Sequence, residues 1–425
     1  MPSEGFLYHA SVQKEPIYAV ILAGGQSSRL FPFNKVLSDL TGSGRSLIQQ
    51  AFDRVQKLSK KQTYILTGKD MVAPIRRQLK LPPGRVFVDP ARRGTWPAIL
   101  WAMAHLRHKN PDALMAVLTG DHVIQGDRAF LQACRKALTM AQTRPAMVML
   151  GIPPSDRPDE WRGFGCFRAD KVGRVIEFQE KPTSERAKDL IRTGAWQWNS
   201  GMFFFRISTA EAALQRLQPE MYRVYEAIIL AIKTGKKNEA AIFYQDFLEK
   251  ITHPLDPGHY VDNSIDYAVM TPLVSRATDD LGAYAVCDIG FRWTDLGQWD
   301  ALKQVLKPDR RGNIRIGNVH LKRDVRDSIG VAESGYSIIA EGAKNLIMAV
   351  ANQTALVLSV ENLPRVKEAA QEALKHPDRI VMEHDVTDCD FKVTGGRLVA
   401  IGLWGLRIHL QRRRLVVSTK RRFIR

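Results

Sequence analysis

The run Ile17-Tyr18-Ala19-Val20-Ile21-Leu22 stops at Gly24-Gly25. A short apolar run closed by a glycine pair reads as a strand buried on both faces, and such strands belong to parallel sheets covered by helices. The signals that follow keep the same alternation. Ser46 to Leu58 places Ile48, Phe52 and Val55 on one helical face, Thr63–Leu66 reads as a second strand, and Pro97 opens a helix through His105. Leu114–Leu118 is another buried strand, with Asp121 just past its carboxyl end. Alternation of this kind predicts an α/β domain with a parallel or mixed sheet. Ligands of such sheets sit outside the carboxyl ends of the strands, where Gly24-Gly25 and Asp121 both fall.

The chain has 425 residues, which at roughly 100–200 residues per domain leaves room for more than one. The texture changes at Leu306–Arg311, a linker of Lys, Pro, Asp, Arg and Gly. Beyond it lie short β-like pieces, Ser337–Ala340, Leu346–Ala349 and Ala355–Val360, and then a helix over Arg365–Leu374. The expected organisation is an α/β domain over 1–305, a small β-rich domain ending in a helix over 306–375, and a basic extension over 376–425. No low-complexity tract and no repeat of roughly 20–50 residues emerges.

Lys and Arg number 62 against 44 Asp and Glu, a net charge of +18. Such a balance invites polyanions, but much of the surplus lies at one end. From Phe391 to Arg425 there is no acidic residue, while Lys392, Arg397, Arg407, Arg412, Arg413, Arg414, Lys420, Arg421, Arg422 and Arg425 all fall there. Leu406-Arg407-Ile408-His409-Leu410 alternates apolar and basic residues, the pattern of a strand with one basic face. Two readings stay open: contact with an anionic surface or nucleic acid, and a solvated extension or strand added to the β-rich domain. The four cysteines are far apart with no Cys-x-x-Cys or Cys/His spacing, which argues against a zinc site or disulfide scaffold and fits a reducing cytosol. Met1 to Pro16 is polar without an apolar signal core, and no run approaches the ~20 apolar residues of a membrane span, so a cytoplasmic location is expected.

Chemistry-bearing residues fall in five segments. Leu22-Ala23-Gly24-Gly25-Gln26-Ser27-Ser28-Arg29-Leu30, followed by Lys35, offers backbone N–H groups and two cations to a phosphate or base edge. It is neither a Walker A loop nor Gly-x-Gly-x-x-Gly. Asp121-His122 follows a strand, and a carboxylate there can hold Mg²⁺, which takes few protein ligands plus phosphate oxygens. Gly163-Phe164-Gly165 with Glu180-Lys181-Pro182, and Trp198-Asn199-Ser200-Gly201, set polar groups among aromatics, as a sugar site requires. Trp293-Thr294-Asp295-Leu296-Gly297 supplies a second isolated carboxylate. Taken alone, the glycine loop fits a tight turn as well as a ligand site, and the other segments fit a turn or a cap better.

In this order the five segments resemble the sugar-1-phosphate nucleotidyltransferases, and within them the GDP-mannose-forming branch of bacterial type. The resemblance runs from about Tyr18 to Leu374. Its most specific stretches are Asp89–Ile99, Leu118–Ile124, Trp198–Phe203 and Ser264–Met270. It implies a nucleotide-binding α/β domain followed by a small left-handed β-helix-like domain. It also implies an enzyme whose Leu22, Ala23, Gly24, Gly25, Arg93, Thr95 and Pro97 bind nucleotide and whose Arg29, Lys35 and Asp121 are catalytic. Gly165, Glu180, Lys181 and Asn199 would bind the sugar phosphate, and Asp121 and Asp295 would hold Mg²⁺. The expected substrates are GTP and mannose 1-phosphate; another hexose 1-phosphate or nucleoside triphosphate, a non-catalytic nucleotide-sugar-binding homologue and a homo-oligomer are left open. Ser264-Ile265-Asp266 matches a further family signature of no assigned role. The chain departs from the pattern at Phe31-Pro32-Phe33-Asn34-Lys35, which is shorter, and at Gly94 and Trp96, beside the expected base site.

Overall fold

The computed structural model describes residues 15–25, 28–59, 61–154, 163–250, 263–276, 280–287, 289–375, 380–383 and 386–420. The reading of Met1–Pro16 falls largely outside these residues, as do Gln26 and Ser27 of the glycine loop.

The first domain is a mixed sheet between helical layers. Its strands are β1 (Ile17–Leu22), β2 (Thr63–Thr67), β3 (Val86–Val88), β4 (Leu114–Thr119), β5 (Val123–Gln125) and β6 (Ala146–Ile152). They continue with β7 (Cys166–Ala169), β8 (Val175–Gln179), β9 (Trp196–Arg206), β10 (Gly282–Val286) and β11 (Arg292–Thr294). The sheet runs β10-β6-β9-β4-β1-β2-β3, with β7 and β8 added beside β9 and with β5 and β11 forming a separate ribbon. β1 is central and parallel to β2 and β4, whereas β9 is antiparallel to β4 and β6. Tyr18 and Val20 enter one apolar core and Ala19 and Ile21 the other, on opposite faces of the sheet. That explains why β1 reads as a continuous apolar run. The helix Leu47–Ser59 starts at a reciprocal cap: Gln49 N–H donates to Ser46 Oγ, and Ser46 N–H to Gln49 Oε1 at 3.0 Å. It buries Ile48, Ala51, Val55 and Leu58 along one stripe.

The second domain holds β12 (Ile314–Ile316), β13 (Val319–Leu321), β14 (Ile329–Ala332), β15 (Ser337–Glu341), β16 (Leu346–Ala351) and β17 (Thr354–Ser359). After the helix Val366–Lys375 come β18 (Ile380–Glu383), β19 (Asp390–Thr394), β20 (Arg397–Ile401), β21 (Leu406–Gln411) and β22 (Arg414–Thr419). They form two mostly parallel sheets, β12-β14-β16-β17-β20-β18 and β13-β15-β22-β21-β19, in the manner of a β-helix. Two features bear on the expected organisation. Of the two readings left open for 376–425, the described residues take the one of strands added to the β-rich domain, because β20 pairs with β17 and β22 with β15 inside the same two sheets. The domain also contains a repeat, longer than the roughly 20–50 residues considered from sequence: β18–β22 reproduce the order and pairing of β13–β17, with Leu406 answering to Leu346. The basic residues that made 376–425 look separate alternate with buried ones, so that in β21 Leu406, Ile408 and Leu410 face inward and Arg407, His409 and Gln411 outward.

The domains share an apolar core. Leu30, Phe33 and Trp299 of the first pack with Ile347, Leu356, Val366 and Ala369 of the second, and the Phe33 and Trp299 rings meet edge to face at 5.7 Å. The segment carrying Arg29 and Lys35 is thereby clamped between domains. Among the described residues no helix is long and apolar enough to cross a membrane.

Candidate active site

The parallel register of β1 and β4 sets Leu22 beside Thr119, so both strands deliver their following loops to one place. Gly120 N–H donates to Leu22 O at 2.9 Å. A side chain at Gly120 would press on Ile48 and on that carbonyl, at 2.9 and 3.0 Å. The glycine loop is held from the other side, where Thr67 Oγ1 donates to Ala23 O at 2.7 Å. Gly24 and Gly25 are exposed, and among the described residues a Cβ on either would meet nothing within 4 Å. No described residue fills the space above this backbone, so packing against them does not explain the glycines.

Beyond β4, Asp121 Oδ2 accepts a hydrogen bond from Lys35 Nζ at 2.8 Å. Burial alone would raise the Asp121 carboxyl, but Lys35, His122 and the hydrogen bonds outweigh it and hold it below the usual carboxylate range. His122 accepts from Trp293 Nε1 at Nδ1, at 3.0 Å. Burial, opposed by Asp121, keeps its pKa below the ordinary histidine value. A neutral ring accepting at Nδ1 carries its proton on Nε2, which lies 3.8 Å from Asp121 Oδ1. The ribbon of β5 and β11 sets Thr294 beside Val123 and so brings Asp295 to the Asp121 end of the sheet. Gly297 N–H donates to Asp295 Oδ1 at 3.0 Å. Gly25, Arg29, Lys35, Asp121, Asp295 and Lys367 line one cavity of about 410 Å³, within the range of small-ligand sites.

A second cluster lies alongside. Asn199 N–H donates to Gly165 O at 2.7 Å, and the buried Asn199 side chain donates from Nδ2 to Asp266 Oδ1 at 2.5 Å. A Cβ at Gly165 would collide with Glu180 Oε2, so a larger residue there would push this carboxylate from its present place. Lys181 Nζ is 3.3 Å from Glu180 Oε1. The clusters adjoin through Gly201, whose Cβ position is 3.9 Å from Thr119 and 4.0 Å from His122. Phe164 bridges them as well, its ring 5.0 Å from Trp198 and 5.2 Å from Trp293.

Residues 18–311 match the family model described as nucleotidyl transferase. The chain belongs to the nucleotidyl transferase family. Among its relatives, the alginate biosynthesis protein AlgA of Pseudomonas putida is 30% identical over 82% of this chain and 70% of its own length. The mannose-1-phosphate guanylyltransferase of Escherichia coli K12 is 29% identical over 86% of this chain and 76% of its own. A solved structure named mannose-1-phosphate geranyltransferase, from Thermus thermophilus, shares the fold with a TM-score of 0.68 at 24% identity, covering 84% of this chain and 99% of that one.

In this nucleotidyltransferase the fold brings Gly25, Arg29, Lys35, Asp121 and Asp295 to one cavity, and gathers Gly165, Glu180, Lys181 and Asn199 beside it. Arg93, Thr95 and Pro97 do not line that cavity. Pro97 is buried in the first turn of the helix Thr95–Arg107, and Thr95 Oγ1 accepts from Ile265 N–H at 3.0 Å. Trp96, singled out beside the base, is 1% exposed and donates from Nε1 to Gln218 Oε1 at 3.0 Å. Gly94 is needed for its left-handed φ of 109° and its approach to the Asn263 carbonyl. This stretch therefore fastens the helix to the 263–266 segment. Sequence reasoning gave Asp266 no role and missed Lys367, which the helix Val366–Lys375 carries into the cavity from the second domain. The available signal was a lysine in the first turn of a helix, where the dipole disfavours cations.

Proposed function

We propose that this nucleotidyltransferase joins mannose 1-phosphate to the guanylyl group of GTP, giving GDP-mannose and pyrophosphate with Mg²⁺ as the metal. The observation that carries the reading is the shared cavity, in which three cations, Arg29, Lys35 and Lys367, surround two carboxylates, Asp121 and Asp295. That combination suits a triphosphate accompanied by a divalent cation. The relatives named for mannose-1-phosphate guanylyl transfer support the choice of sugar and base.

The donor set fits Mg²⁺, which favours one or two carboxylates and completes its shell with phosphate and water oxygens. Asp121 and Asp295 would hold it, and among the described residues no group of three or more His, Cys, Asp or Glu is placed to hold a metal ion. When bound, the ion neutralises charge on the reacting phosphates. The chain's own residues do the remaining work. Arg29, Lys35 and Lys367 draw the triphosphate in and stabilise charge on the leaving pyrophosphate. Asn199, fixed by Asp266, and Glu180, seated against Gly165, orient the hexose, and Lys181 meets its phosphate. A phosphate oxygen of mannose 1-phosphate forms a bond to the α-phosphorus of GTP. The bond from that phosphorus to the oxygen bridging to the β-phosphate breaks, and its electron pair leaves with pyrophosphate. The nucleophile is already an anion, so no side chain has to remove a proton.

The test is pyrophosphate release in the presence of Mg²⁺, with mannose, glucose and N-acetylglucosamine 1-phosphates each paired with GTP, ATP, UTP, dTTP and CTP. A dominant signal for mannose 1-phosphate with GTP is expected. Another dominant pair would correct the substrates and keep the chemistry, and silence across the matrix from folded protein would overturn the reading.

A further inference from the structure

The second domain is two copies of one unit. β13, β14, β15, β16 and β17 correspond in order to β18, β19, β20, β21 and β22, and the last three strands of each copy have the same lengths and spacing. Asp327 and Asp388 share a φ of 50°, and Gly342 matches Gly402, both left-handed. Pairing within the copies agrees residue for residue. Val319 faces Ile338 as Ile380 faces Leu398, Ile329 faces Ile347 as Asp390 faces Arg407, and Leu346 faces Ser359 as Leu406 faces Thr419.

Pairing between the copies is reciprocal. β15 lies parallel to β22 with Ser337 opposite Arg414, and β17 lies parallel to β20 with Thr354 opposite Arg397. Since β22 is the counterpart of β17 and β20 that of β15, the two joints are one joint met twice. Exchanging the copies turns the sheet β14-β16-β17-β20-β18 into β19-β21-β22-β15-β13, which is the other sheet. The core between the sheets follows the same exchange, with Ile338, Met348 and Val357 matched by Leu398, Ile408 and Val417, all buried in one cluster. A surface that pairs with its own copy is the geometry of a two-fold interface between identical subunits.

The copies differ on their outer faces. Ile347 and Ala349 of β16 pack beneath the catalytic domain, whereas their counterparts Arg407 and His409 in β21 are exposed. The second copy turns to solvent the face with which the first seats a catalytic domain.

We infer that β15 and β17 form a self-complementary docking edge whose partner is a second β13–β17 unit, and that the chain's own β18–β22 occupies the place of that second subunit. Attachment through the helix Val366–Lys375 gives the second copy a high effective concentration, so closure within one chain outcompetes pairing between chains. A chain lacking the second copy presents both open edges and pairs with another such chain, β15 to the other's β17 and β17 to the other's β15, setting two catalytic domains on one β unit.

In the full chain, with Cys287 and Cys389 replaced by serine, Ser337→Cys and Arg414→Cys place thiols on opposed residues. Oxidation is expected to form the bond inside one chain, seen as a monomer on non-reducing electrophoresis; a bond joining two chains overturns closure within the chain. A chain ending at Lys375 and carrying Ser337→Cys with Thr354→Cys tests the two-fold relation, because those residues lie in different sheets of one copy. Light scattering is expected to give twice the mass of the truncated chain, and oxidation to link two chains. A folded truncated chain that stays single, or doubles without the cross-link, overturns the inference. Co-expression with a separate 376–425 segment is expected to replace the dimer by a one-to-one complex, since both occupants need the same edges. A truncated chain that neither folds as a dimer nor is rescued by that segment overturns it equally.

Discussion

Asp266 Oδ1 accepts a hydrogen bond from Asn199 Nδ2 at 2.5 Å, tying the segment after residue 263 to the bulged centre of β9. The amide is thereby committed: Nδ2 donates to Asp266, and Oδ1 accepts from Gly201 N–H at 3.0 Å. Asp266→Ala frees a buried amide to rotate without removing it. The KM for the sugar phosphate is expected to rise about tenfold or more, the value of a hydrogen bond to a charged group, with the KM for nucleotide nearly unchanged. Steady-state kinetics with each substrate varied in turn checks this, and equal effects on both would deny Asp266 its positioning role.

Lys35 and Asp121 are expected to behave as a unit. Asp121→Asn leaves the buried Lys35 ammonium without its counter-charge. It should cost about 1–3 kcal/mol of stability and lower turnover by about 10²–10³. Lys35→Met added to it should recover part of the stability and none of the rate, so thermal melts and turnover of the two single variants and the double variant separate the effects. The Asp121 carboxyl is held below its ordinary range, so the pair's contribution is complete above the unfolded pKa of about 3.9. It is lost as the pH falls from there through the lowered folded value. The gap in Tm between wild type and Asp121→Asn should therefore persist at pH 5 and close only in stronger acid.

Trp96→Phe separates packing from base recognition. The indole is buried and its N–H satisfied by Gln218. The substitution should cost about 1 kcal/mol for the lost hydrogen bond and leave the ranking of GTP against ATP as in wild type. A changed ranking in competition assays would place Trp96 at the base after all.

The parts of this fold that sequence reveals are those in which neighbours in the chain share an environment. β1 and β4 read correctly because both faces are buried, and the loops after them follow from sheet geometry. Asp121 and Asp295 were legible as isolated carboxylates in turns, but only the antiparallel ribbon of β5 and β11 makes them neighbours. The 93–97 stretch reads in sequence as a motif beside a ligand, and only the structure adds that it fastens a helix, with Trp96 buried. The repeat was hidden by its opposite surroundings. Ile347 and Ala349 lie under another domain while Arg407 and His409 meet water, so equivalent positions carry unlike residues. What survives is backbone constraint, as at Asp327 with Asp388 and Gly342 with Gly402, and inward apolar character.

Lys367 gives the sharpest separation of function from stability. It lies in the first turn of the helix Val366–Lys375 and lines the cavity with Arg29 and Lys35. A cation there opposes the helix dipole by about 0.3–1 kcal/mol, and that cost is offset when an anion lies between the helix end and the glycine loop. Lys367→Met should leave Tm unchanged or slightly raised while lowering kcat/KM for nucleotide by roughly ten- to a hundredfold, the worth of one charge-assisted hydrogen bond. Lys367→Arg keeps the charge and should retain most of the activity. The loss should appear with nucleotide varied and be small with sugar phosphate varied, because the second cluster lies on the β9 side. Unchanged kcat/KM in Lys367→Met would reduce this lysine to a solvated helix residue. A rate loss with a raised Tm would show that the β domain completes the catalytic cavity.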